Sequence, residues 1–139
     1  MANINAMRQY EEQVINTATP GMVTVMLFEE IIKNINLGMK AIDEKNIQDS
    51  HNSILKAENI YLALHGYLDE RFEISKPLSK MYEFLAARLV DANVKKDKEI
   101  LKEVLTFTTE FRDTWRQAEK NARIEHMKSA AARINKVNK

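Results

Sequence analysis

From Met22 to Ile42 the apolar residues Met22, Val25, Phe28, Ile32, Ile35, Met39 and Ile42 recur at spacings of three and four. That period places them on one stripe of a long helix. Ahead of the run, Thr19 can accept a hydrogen bond from an orphan amide as an N-cap. Pro20 falls at the first helical position, where its missing N–H costs nothing. A helix over about 20–44 follows, and a lone helix cannot bury its own stripe. The remainder of the chain has to supply its partners.

Three further periodic stretches do so. The predicted second helix, about 47–67, carries Ile47, Ile54, Ala57, Tyr61, Leu64 and Leu68 on one stripe, with Asn46 as its N-cap and Gly66 as its exit signal. The link Asp69 to Pro77 has no period. Pro77 tolerates only a first-turn position in the next helix, and Ser75 is a candidate cap. Helix three, about 76–94, reads Leu78, Met81 or Tyr82, Leu85, Leu89 and Ala92, and breaks at Asn93-Val94-Lys95-Lys96. Asp97 then caps helix four, about 98–122, whose stripe is Leu101, Val104, Thr108, Phe111, Trp115, Ala118 and Ala122. Four long helices joined by short links predict an all-α antiparallel four-helix bundle.

Both ends add to this frame. Residues 1–16 carry Ile4, Met7, Tyr10 and Val14 at helical spacing, a short amphipathic arm that needs a groove to lie in. The bundle occupies 17–122, and 123–139 form a basic helical or frayed tail. Beyond Glu119, Lys120, Arg123, Lys128, Arg133, Lys136 and Lys139 face only Glu125, while Ile124, Met127, Ala131, Ile134 and Val137 keep a helical period.

Composition narrows the function. At 139 residues, 45% hydrophobic and 29% charged, the chain reads as one globular domain. Its formal charge of +1 demands neither nucleic acid nor a membrane as partner. Cysteine is absent, which removes disulfides, thiol nucleophiles and Cys-based metal sites. The amino terminus lacks a signal-peptide pattern and no apolar run approaches a membrane span, so the cytoplasm is the expected location.

Catalytic chemistry finds little to stand on. No Glu-x-x-His spacing exists for a di-metal site, and His51, His65 and His126 lie on separate segments, so neither metal nor cofactor is expected. Gly21, Gly38 and Gly66 are isolated and make no phosphate-binding loop. The Glu11-Glu12 and Glu29-Glu30 pairs read as solvated helix surface. No enzymatic activity is expected. The basic tail holds no aromatic to stack on a base, which argues against nucleic acid. It reads as a solvated helix end or as an amphipathic contact with another protein.

Apolar surface is in surplus. Val23, Met26, Leu27 and Ile31 on helix one, Ile60 and Leu62 on helix two, and Phe84 and Val90 on helix three form a second set beside the core stripes. Such a set either widens the core face or lines a groove for partner helices.

Five ordered segments carry a family resemblance. They are Tyr10 with Val14-Ile15-Asn16-Thr17-Ala18-Thr19-Pro20; Val25-Met26-Leu27-Phe28-Glu29; Lys56-Ala57-Glu58-Asn59-Ile60; Met81-Tyr82-Glu83-Phe84-Leu85 with Arg88-Leu89-Val90-Asp91-Ala92-Asn93; and Glu110-Phe111-Arg112-Asp113-Thr114-Trp115. From about Tyr10 to Ala118 the chain resembles the FliS family of flagellin-specific export chaperones. It departs from the family pattern at Glu29-Glu30, at His65-Gly66-Tyr67 and at Pro77, and the tail after Ala122 lies outside the resemblance. The resemblance implies a bundle that binds the disordered C-terminal segment of flagellin, prevents premature polymerisation and presents the client to the flagellar export apparatus. A monomer or weak homodimer without membrane insertion is expected. The residues expected at the client are Tyr10, Val14, Leu27, Ile60, Tyr82, Leu85 and Leu89. Thr17, Pro20, Arg112, Asp113 and Trp115 match as architecture, with Trp115 filling the core. The alternative is a non-catalytic helical adaptor for folded partners.

Overall fold

A computed structural model describes residues 19–137. Four helices account for nearly all of them: α1 (Pro20–Asp43), α2 (Ile47–Gly66), α3 (Ser75–Lys95) and α4 (Lys98–Val137). The chain divides into two units, Met26–Arg112 and the two terminal segments outside it.

In the unit 26–112, each helix contributes a ring to one aromatic cluster. Phe28 of α1 stacks on Phe111 of α4 with centroids 5.7 Å apart. Tyr82 of α3 lies 6.4 Å from Phe28, 6.1 Å from Phe111 and 5.9 Å from Tyr61 of α2. Tilted and edge contacts of this kind add stabilisation beyond area burial. Around the rings, Ile31, Ile35, Ile54, Leu85, Leu89, Leu101 and Val104 are fully buried. The Tyr61 hydroxyl is satisfied by Thr108 Oγ1, which itself donates to the Val104 carbonyl at 2.7 Å. Because the Thr108 hydroxyl has a single hydrogen, Tyr61 must be the donor of the pair.

Polar contacts at the rim join α1 to α2 through Glu30 and Lys56 (3.7 Å), α2 to α3 through His65 and Glu83 (2.9 Å), α3 to α4 through Arg88 and Glu103 (2.8 Å), and α1 to α4 through Asp43 and Lys98 (2.7 Å). Exposed pairs of this sort contribute little to stability, but they report the antiparallel order.

Two corners use one device. Lys45 and Lys96 adopt left-handed φ of 58° and 52°. The following amides, of Asn46 and Asp97, close on the Ala41 and Ala92 carbonyls at 2.8 and 3.1 Å. Asn46 then caps α2 by accepting from the Asp49 amide at 3.1 Å, and Asp97 caps α4 by accepting from Glu99 at 2.9 Å. One residue ends a helix and the next begins another.

The longer link differs from its expectation. Gly66 does not take a left-handed φ, and Tyr67 caps α2 in a right-handed conformation. Ser75 is not a cap either. It is the first residue of α3, and its hydroxyl donates back to the Asp69 carbonyl at 2.6 Å. Pro77 sits in the first turn.

In the second unit, the described residues are 19–25 and 113–137. Thr19 Oγ1 accepts from the Met22 amide at 3.2 Å and donates to Glu119 Oε2 at 2.9 Å. The Glu119 carboxylate lies so close over Gly21 that a Cβ there would stand 1.6 Å from Oε1. Expectation and structure diverge along α4: Leu101, Val104 and Thr108 are buried, Phe111 and Trp115 half-buried, and Ala118 and Ala122 exposed. Trp115 therefore does not fill the core. The helix also continues past 122 to Val137.

Candidate partner-binding surface

The hairpin of α2 and α3 packs helix against helix along its length. Its inner faces are Ile54, Ala57, Tyr61 and Leu64 on α2 and Tyr82, Leu85, Ala86, Leu89 and Ala92 on α3, all buried. Polar pairs fix its two ends. His65 Nε2 lies 2.8 Å from Ser79 Oγ and 2.9 Å from Glu83 Oε1, and Asn93 Nδ2 lies 3.1 Å from His51 Nδ1. Lys96 in turn donates to Asn93 Oδ1. Arg88 bonds Glu103 on α4, which raises its already high pKa, and approaches Asp91 on its own helix at 3.6 Å.

With the inner faces filled, the outward positions still carry apolar side chains. On α3 these are Phe84 (46% exposed), Val90 and Val94, with exposed Ala87 between them. On α2 they are Leu55 and Leu62 (51% exposed). The link adds Tyr67, Phe72 and Ile74, all exposed. Groups this large on the outside of otherwise well-filled helices make this hairpin the candidate surface for a partner. Among the charged side chains of this hairpin, Glu83 and Arg88 are held in the pairs named above.

The expected site residues divide three ways. Tyr10 and Val14 lie outside the described residues. Leu27 and Ile60 are half-buried. Tyr82, Leu85 and Leu89 are corrected: they are at most 2% exposed and belong to the core. Their periodicity with Ala92 is the reason, because the stripe that recurs most regularly faces the other helices. From the second apolar set, Ile31 is core, whereas Leu62, Phe84 and Val90 do reach the surface. Leu55, Val94 and the link residues were not anticipated. The helical register would have revealed Val94, since a helix that buries 85, 89 and 92 turns 84, 87, 90 and 94 outward.

The family described as flagellar protein FliS matches residues 3–122. The chain belongs to the FliS family. Among FliS relatives, the flagellar secretion chaperone of Bacillus subtilis is 38% identical over 118 residues, covering 85% of this chain and 89% of that protein. The corresponding chaperone of Vibrio cholerae is 27% identical, covering 74% and 77%. A crystal structure of a bacterial flagellar chaperone superposes with a TM-score of 0.70 at 18% identity, over 86% of this chain and 98% of that one, and shares its fold. Among the described residues, no helix is long and apolar enough to cross a membrane.

Proposed function

We infer that the chain is a flagellar secretion chaperone that binds the disordered C-terminal segment of flagellin on its apolar surface. Binding there keeps the client from polymerising early and presents it to the export apparatus. The observation that carries this reading is Leu55, Leu62, Phe84 and Val90 standing outside a filled core in a member of this family. A client with amphipathic helices would cover them by helix-in-groove packing. Half-buried Leu27 and Ile60 would widen the contact, and Tyr10 and Val14 would join it from the arm. Holding such a client requires no bond to be made or broken.

Calorimetric titration of the full chain with a peptide of flagellin's C-terminal segment tests this. A groove chaperone gives a strongly negative heat-capacity change and helix gain in the peptide, because a disordered segment folds as it buries apolar area. Phe84→Asp and Leu62→Asp should weaken binding while leaving thermal unfolding nearly unchanged. A peptide that does not bind, or variants that bind as well as the parent, would favour an adaptor for folded partners.

A further inference from the structure

The end of α4 carries a second apolar seam, separate from the surface above. Ile124, Met127, Ala131 and Ile134 follow one another at spacings of three, four and three, the a and d positions of two heptads. All four are exposed, Met127 by 63% and Ile134 by 60%. The seam lies within the continuous helix Lys98–Val137 and entirely beyond residues 3–122 that match the family. It ends upstream at Lys120, which takes the preceding d position.

Charge decides what fits it. Arg123 and Lys128 occupy the g and e positions on either side of the stripe, and Lys120, Arg133, Lys136 and Lys139 keep the segment cationic against Glu125 alone. Lys128 approaches Glu125 at 3.8 Å, a pair more than 70% exposed on both sides and weak for that reason. A second copy of this helix would set Arg123 against Lys128 when parallel and each against itself when antiparallel, so like charges meet either way. The stripe is as narrow as a coiled-coil seam, unlike the broad apolar face of a membrane-surface helix. It also lacks aromatic side chains to anchor in lipid or stack on bases.

We propose that the seam at Ile124, Met127, Ala131 and Ile134 docks an amphipathic helix of a partner protein whose flanking positions are acidic. Two heptads bury little area, so the contact is transient. It does not depend on the flagellin reading.

The test uses the full chain and two labelled synthetic heptad peptides with identical apolar seams, one with Glu and one with Lys at every e and g position. The Glu peptide should bind at least about tenfold more tightly than the Lys peptide, and less well as salt rises. Ile124→Asp/Ile134→Asp should abolish that preference, and Arg123→Glu/Lys128→Glu should reverse it. Neither pair of changes should alter the flagellin-peptide titration, so failure here and failure of the client reading are separable. Equal affinity for both peptides overturns the proposal, as does binding to neither. So do stronger binding to phosphatidylglycerol vesicles or to an oligonucleotide, and a dimer that Ile124→Asp dissolves.

Discussion

At the scale of single residues, the buried hydroxyl pair of Tyr61 and Thr108 is asymmetric. Tyr61 donates to Thr108, which donates on to the Val104 carbonyl. Tyr61→Phe removes one bond and leaves Thr108 satisfied by Val104, a cost of about 1 kcal/mol. Thr108→Val strands the tyrosine hydroxyl in the core and should cost about 2 kcal/mol. The double variant should lose less than the sum, since no donor is then left without an acceptor; urea midpoints at constant slope measure all three. Glycine gives a second contrast. At Gly38 a Cβ would stand 2.9 Å from Cγ1 of the fully buried Ile54, whose branched side chain is stiff. Gly38→Ala should therefore lower stability by about 1 kcal/mol, even though alanine favours helix by about that amount. Gly66 meets nothing within 4 Å, so Gly66→Ala should raise the unfolding midpoint. The sequence shows Gly38 and Gly66 alike as isolated glycines in helical runs. Which one is a close approach depends on Ile54, on another helix, and no local pattern reports that.

At the scale of elements, periodicity and capping residues were legible because both are local. Thr19, Asn46 and Asp97 each cap where their side-chain chemistry places them. The left-handed residues Lys45 and Lys96 were not legible, since lysine gives no signal for that conformation and only the short corner forces it. The same corner makes a prediction. Lys45→Gly should stabilise by about 0.5–1 kcal/mol, because glycine enters the left-handed region without Cβ strain but loses more freedom on folding. Lys96→Gly should gain less, since it also removes the contact to Asn93. Asn46→Ala should cost about 1 kcal/mol through the lost cap on the Asp49 amide. Thermal unfolding of the three variants orders them. The candidate surface was only half legible for a related reason. Regular spacing identifies residues that face other helices, so Tyr82, Leu85 and Leu89 were poor candidates for a client site, while the less regular Leu62, Phe84 and Val90 are the ones left outside.

At the scale of the whole molecule, presenting apolar surface to a client requires that the core beneath it stay closed. The aromatic cluster makes that closure sensitive to alkali. Burial pushes the Tyr82 hydroxyl up from 10.0 to about 12 and raises that of Tyr61 as well. Well below pH 10.0 both states hold their phenolic protons, and the tyrosines take nothing from stability. Above it the unfolded chain releases protons that the folded chain retains, so the unfolded state is favoured increasingly until the folded tyrosines ionise in turn. The slope is about 1.4 kcal/mol per pH unit for each tyrosine in that condition. Urea midpoints should thus fall steeply between pH 10.0 and about 12, with the tyrosinate absorbance of these two residues appearing only as the protein unfolds. Tyr61→Phe/Tyr82→Phe should be less stable at neutral pH yet lose stability less steeply in alkali. Equal slopes for parent and variant would mean that the two phenols already reach solvent, and that the cluster does not seal the core.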